Sequence, residues 1–125
     1  TNRYFNNIYV RMGAHTLIHK RTEDDIWKNL FELPLVETEK DLSEEEFLAC
    51  PQFHALFAEG EVRMVRTLLR GVKHVLSHRV IYTNFYEVTL PDNSSSFSSY
   101  QRVAVEDLGR YAVPRLIHAF LEKYV

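Results

Sequence analysis

The sequence predicts an α+β domain, a mixed β-sheet flanked by helices in α/β/α layers. Three observations predict it. Runs rich in aromatic and β-branched residues, 4–12 and 79–90, lie on either side of a segment with a helix start signal. That signal is Ser43 followed three residues later by Glu46, a capping box. The chain closes on Leu116, Ile117, Phe120, Leu121 and Tyr124, one apolar stripe at helical spacing. Strands, a helix, strands and a terminal helix make a layered arrangement.

Residues 4–12 alternate loosely and are rich in Tyr, Phe, Ile and Val, so they predict a strand. Gly13-Ala14 predicts a tight hairpin turn, with residues 15–21 returning as the second strand. Residues 22–25 are polar and predict a loop. In residues 26–37, Pro34 disfavours a helix and confines a strand to an edge or a start. Around the capping box, Leu42 and Phe47 occupy the two staple positions, and Glu44 and Glu45 suit the positive end of the helix dipole. Pro51 predicts an end or a kink, and Gly60 a stop after one or two further turns.

Residues 62–69 fit either a helix or a strand, and Gly71 is expected to break the element in both cases. Residues 72–76 and 79–90 predict strands, the second apolar on both faces and therefore central. Residues 91–99 are a Ser-rich loop, and residues 100–105 a short strand. A helix starts within residues 105–111, and Pro114 suits the first position of the last one.

The 125 residues predict one domain, 1–125, large enough for a real core. No apolar run approaches the ~20 residues of a membrane span, and no signal peptide is visible. The chain opens on a strand-like run without an initiator Met, as expected for a piece of a longer protein. The single cysteine, Cys50, cannot form an internal disulfide or a cysteine-based metal site. It is expected to be a small buried apolar residue in a reducing, cytoplasmic protein. The formal charge of −2 hides an asymmetry. Residues 23–46 hold ten of the 17 acidic residues, against only Lys28 and Lys40. Residues 62–86 hold no acid and five cations: Arg63, Arg66, Arg70, Lys73 and Arg79. Such a stretch suits a polyanion, with modest and salt-sensitive attraction.

Within that stretch, Ser77 and His78 fall between two apolar runs at what reads as a hairpin tip. A hydroxyl and an imidazole there present polar groups where packing does not ask for them. Other chemistries are weaker. His74 and His78 are four apart, as are His15 and His19. On strands that spacing separates them by roughly 13 Å, too far to share one zinc ion. Ser77 lacks a Gly-x-Ser-x-Gly elbow and a nearby orienting acid. Glu44-Glu45-Glu46 is explained by its place at a helix start. Trp27, the only tryptophan, is expected in the core with Leu30, Phe31 and Leu33.

Three segments carry a resemblance to a known family. Residues 26–37, from Ile26-Trp27-Lys28-Asn29 to Pro34-Leu35-Val36-Glu37, resemble the Trp segment ending in Pro-x-x-Glu of MutY-type adenine DNA glycosylases. Lys73-His74-Val75-Leu76-Ser77-His78 is similar to their aromatic-Ser/Thr-His loop, with Leu76 in place of the aromatic. Asp107-Leu108-Gly109-Arg110-Tyr111-Ala112-Val113-Pro114-Arg115-Leu116 is similar to their Leu-x-x-Tyr-Ala-x-Pro-x-Leu segment. Lys28-Asn29 replaces a pair that is often Gly-Gly.

The resemblance covers nearly the whole chain and is to the C-terminal domain alone. It implies a Nudix-like fold, with no catalytic residue and no metal or other cofactor in this domain. No Arg here is followed by Glu, so the magnesium-binding Nudix signature is missing. The resemblance implies that Leu76, Ser77 and His78 recognise 8-oxoguanine opposite adenine in double-stranded DNA, with Lys73 and Arg79 contacting phosphates. It also implies a covalently linked N-terminal glycosylase domain, which cleaves the N-glycosidic bond and carries an iron–sulfur cluster. The alternative expectation is a Nudix-fold module that binds a protein or a nucleotide without hydrolase activity.

Overall fold

The computed structural model describes residues 2–125. Seven strands form two sheets: β1 (Asn2–Arg11), β2 (His15–Lys20), β3 (Phe31–Glu32), β4 (Leu35–Thr38), β5 (Met64–Leu76), β6 (Arg79–Thr89) and β7 (Gln101–Ala104). The larger sheet has the order β4-β1-β6-β5, and the smaller one β3-β2-β7. In the larger sheet β1 and β6 run parallel, while β4 and β5 are antiparallel edges. Pro34 thus precedes an edge strand, where its missing N–H costs no ladder bond. As its two-sided apolar pattern predicts, β6 is central.

Two expectations about glycines are corrected. Gly13, at φ +60, does turn the chain, but β1 and β2 do not form a hairpin ladder. One Met12–His15 bridge closes the turn, and β2 then joins the second sheet. The single predicted sheet is therefore two. Gly71 does not break its element. Residues 62–69 are extended from Met64 on, and β5 runs through Gly71 with register shifts on either side of Leu69. At φ +67, Gly71 takes a backbone shape that costs other residues, so it serves a bulge. Its N–H donates to the Asn84 side-chain oxygen at 2.7 Å. Asn84 Nδ2 in turn donates to Asn6 and Asp41 oxygens at 3.1 and 3.3 Å.

Helix α1 (Glu44–Ala49) starts at the predicted capping box. The Glu46 N–H donates to Ser43 Oγ, and the Ser43 N–H donates to the Glu46 carboxylate. Pro51 opens a second short helix, α2 (Pro51–His54). A 3₁₀ segment spans Val105–Arg110, and α3 (Arg115–Tyr124) ends the chain, with Pro114 at its cap position.

The alternation of strand side chains builds two cores. Ile8, Val10, Tyr86 and Val88 face Phe47 and Phe53 of α1 and α2. Tyr9 and Phe85 face the other way, onto Ile18, Val103 and the α3 residues Ile117 and Phe120. Phe120 stacks flat on Phe85, with centroids 4.1 Å apart, so part of the terminal stripe is core as predicted. Cys50 is half-buried, less enclosed than expected. Among the described residues, no helix is long and apolar enough to cross a membrane.

Candidate nucleic-acid interface

The bulge at Gly71 sets what the end of the β5–β6 ribbon displays. Beyond it Lys73 pairs with Tyr82, His74 with Ile81, Val75 with Val80 and Leu76 with Arg79. Directly paired residues share a face. Lys73 and Val75 therefore point to one side, and His74, Leu76 and Arg79 to the other. Ser77 and His78 are the two turn residues, and both are exposed. The predicted hairpin tip is present where the sequence places it.

The tip departs from the usual chemistry of its turn. Two-residue hairpins favour types I′ and II′, which need positive φ and take Asn-Gly or Gly-x. Among the described non-glycine residues, only Asn29 and Phe97 have positive φ. Ser77 and His78 thus make a turn that fits the strand twist poorly. Departures from local rules concentrate at functional sites.

The acid-free stretch is less basic in space than along the chain. Arg66 Nε donates to Glu87 at 2.9 Å, and Arg11 approaches the same carboxylate at 3.5 Å. Arg70 donates to the Tyr86 hydroxyl and the Leu42 carbonyl, and lies 3.6 Å from Asp41. Arg63 donates to the Gly60 carbonyl. That leaves Lys73 and Arg79, both exposed and both close to the tip in sequence. Of the five cations in the stretch, these two have no partner among the ion pairs and side-chain hydrogen bonds of the described residues.

Beside the tip is a cleft that the sequence did not reveal. Asp25, Ile26 and Trp27 form one wall, and Leu76, Ser77, His78 and Arg79 the other. Trp27 is half-buried, not sealed in the core. Its ring meets Phe5 edge-on, with centroids 6.0 Å apart. The guanidinium groups of Arg3 and Arg21 lie 5.8 and 5.6 Å from its centroid. Arg21 holds the loop in place. It pairs with Asp25 at 2.8 Å, Glu23 at 3.0 Å and Glu32 at 2.9 Å. The Trp27 N–H donates to Asp25 at 2.9 Å. Burial pushes the Asp25 carboxyl up, but the Arg21 and Trp27 hydrogen bonds outweigh it and hold it below the usual range. The signal available in sequence was Ile26, an apolar residue directly after three acids.

The histidines are separated, as strand spacing requires. His19 meets Glu32 at 2.8 Å and stacks near Tyr100, while His74 faces the opposite side of the ribbon from Lys73. Among the described residues no three His, Cys, Asp or Glu side chains converge on one point. On α1, Glu46 is engaged in the capping box.

The family model for the NUDIX domain matches residues 8–123. No curated protein matches the sequence. Solved structures with the same fold include the C-terminal domain of mouse MUTYH in complex with human PCNA. That likeness has a TM-score of 0.76 at 14% identity, covering 98% of this chain and 86% of that one. The MutT NUDIX hydrolase from Burkholderia pseudomallei has a TM-score of 0.69 at 15% identity, covering 100% and 99%. The M. smegmatis Nudix hydrolase RenU has a TM-score of 0.62 at 8% identity, covering 98% and 82%. At these identities the neighbours speak for the fold alone, and they include both Nudix hydrolases and the MUTYH C-terminal domain. With the family model matching nearly its whole length, this chain belongs to the NUDIX domain family.

Proposed function

We propose that this domain recognises 8-oxoguanine opposite adenine in duplex DNA, on behalf of an adenine DNA glycosylase domain linked to it. The observation that carries the reading is the exposed Ser77–His78 tip, displayed on a ribbon end flanked by Lys73 and Arg79. Oxidation at C8 turns the guanine N7 from an acceptor into an N–H donor and adds a carbonyl oxygen. A serine hydroxyl can accept the new hydrogen, and its hydroxyl or backbone N–H can meet the new oxygen. Such a paired contact discriminates by ~1–3 kcal/mol, enough to bias damaged over intact guanine. Lys73 and Arg79 supply the phosphate contacts, His78 steadies the tip against the backbone, and Leu76 stands where the family carries an aromatic. The chemistry of base removal, with its iron–sulfur cluster, belongs to the linked domain. The three sequence segments and the fold shared with the MUTYH C-terminal domain support the reading.

Place Ser77→Ala in the full-length protein and compare adenine opposite 8-oxoguanine with adenine opposite guanine. The preference between the two duplexes is expected to fall by about 5- to 150-fold. An unchanged preference sinks the proposal.

A second reading, a module that binds a protein or a free nucleotide, has one observation in its favour: the exposed acids Glu23 and Asp24 beside Ile26.

A further inference from the structure

Two large apolar side chains stand out by exposure among the described residues. They are Ile26, 70% exposed, and Val75, 66% exposed. Ile26 sits on the loop that walls the cleft opposite Ser77. We infer that this loop is a second arm of the DNA interface, with Ile26 packing against the sugar and base edges beside the base that Ser77 reads. The inference rests on the proposed lesion-recognition reading and extends it to a segment outside the tip.

The loop is built to hold Ile26 still. Arg21, buried, ties down Asp25 on one side of Ile26 and Glu23 two residues earlier. The Trp27 N–H on the other side is bound to the same Asp25 carboxylate. The backbone closes around it, with Lys28 N–H to the Asp25 carbonyl at 3.1 Å and Leu30 N–H to the Trp27 carbonyl at 3.0 Å. The Asn29 N–H donates to the Arg21 carbonyl at 2.8 Å, and Asn29 itself is held at φ +72. These contacts fix a turn whose apex is a solvent-exposed isoleucine. They are useful to a binding surface, because a side chain already fixed in place loses less entropy on association.

Charge decides which part of DNA the arm meets. Glu23 and Asp25 share Arg21, and Asp24, 98% exposed, has only Lys28 at 4.0 Å. This arm carries three acids against two cations, Arg21 and Lys28, so it does not suit phosphates. The cleft's opposite wall carries Arg79, with Ser77 and His78 at the tip. The surface thus divides into a cationic ribbon for the backbone and an apolar knob for the less charged groove wall. Apolar contacts of this kind are common beside bases that proteins read or unstack.

The test uses the full-length protein and a duplex holding 8-oxoguanine opposite adenine, with affinity measured over a range of salt. Ile26→Ala is expected to weaken binding roughly tenfold, the effect of exposing one apolar side chain. The slope of log affinity against log salt should not change, because no phosphate contact is removed. Lys73→Ala, by contrast, should flatten that slope by about one. The thermal midpoint of Ile26→Ala should stay at the wild-type value, since so exposed a side chain has little packing to lose. Wild-type affinity in Ile26→Ala overturns the inference and assigns the arm to a protein surface. A weakened affinity accompanied by a lowered midpoint also overturns it, by making Ile26 structural. Ser77→Ala measured alongside separates the two claims. If it lowers lesion preference while Ile26→Ala is silent, only the arm is wrong. If both are silent, the lesion reading has failed with it.

Discussion

Replacing Asn84 with alanine should loosen the bulge that sets which faces the β5–β6 ribbon end displays. Asn84 is 4% exposed and Asn6, one of its partners, 1%. The Asn84 side chain accepts from the Gly71 N–H at 2.7 Å and donates to Asn6 Oδ1 at 3.1 Å and Asp41 Oδ1 at 3.3 Å. Alanine removes all three bonds and leaves the Gly71 donor and the Asn6 acceptor with nothing in the protein to meet. The Gly71 N–H is open to water, so the cost is mainly that of stranding the buried Asn6 acceptor, roughly 2 kcal/mol. Unfolding entropy of ~2.1 cal/mol/K per residue makes 1 kcal/mol worth about 4 °C in a chain of this length, so Tm should fall by about 8 °C. Urea melts with an unchanged m-value would assign the loss to the folded state. The same substitution should speed hydrogen exchange at the Gly71 amide. Because a one-residue slip swaps the faces of a strand, Lys73 and Val75 would trade sides with His74 and Leu76. A loss under about 1 kcal/mol with Gly71 still protected would refute the claim that Asn84 holds the bulge.

Two further expectations concern charge. The Glu61 carboxyl is pulled down to about 2, first by the Ser94 and Ser96 hydroxyls and then by backbone N–H groups of Ser95 and Ser96. Its folded value lies below the unfolded one of 4.5, so its contribution to stability is full above that pH and fades as pH falls towards 2. Thermal melts of Glu61→Gln and wild type should therefore differ at pH 6 and converge near pH 2, and a constant difference would contradict the assignment. Arg21→Met should cost about 3 kcal/mol, because it removes the guanidinium from Asp25 and leaves the buried Glu32 with only His19. Chemical denaturation measures it, and a near-neutral result would mean that the loop does not depend on the ion cluster.

How much of this was legible in the sequence depended on whether the deciding interaction was local. The capping box was legible because Ser43 and Glu46 satisfy each other across three residues. The tip was legible because its two residues interrupt two apolar runs. Gly71 was misread because a bulge and a break look alike until Asn84, thirteen residues on, reaches back to its N–H. The Gly13 turn was misread as a hairpin because the partner of β2 is β7, some eighty residues later. The run of cations overstated the basic surface, since Arg66 and Arg70 are engaged by Glu87, Tyr86 and Leu42 from other elements. Trp27 was placed in the core by its apolar neighbours. Its neighbours include Arg3 and Arg21, which converge on the ring from elsewhere in the chain and which its local sequence does not show.

The central claim is that the Ser77 hydroxyl senses the reversed hydrogen-bonding polarity at N7. It is tested most directly by altering that atom in the DNA. In an 8-oxo-7-deazaguanine duplex the N7–H donor becomes a C–H, while the C8 oxygen stays. Wild-type and Ser77→Ala full-length proteins, each measured on both lesions opposite adenine, make a double-perturbation cycle. The account predicts that wild type prefers the natural lesion by about 1–3 kcal/mol and that most of this preference vanishes in Ser77→Ala. Equal preferences in the two proteins would contradict it, showing that some other group reads the lesion.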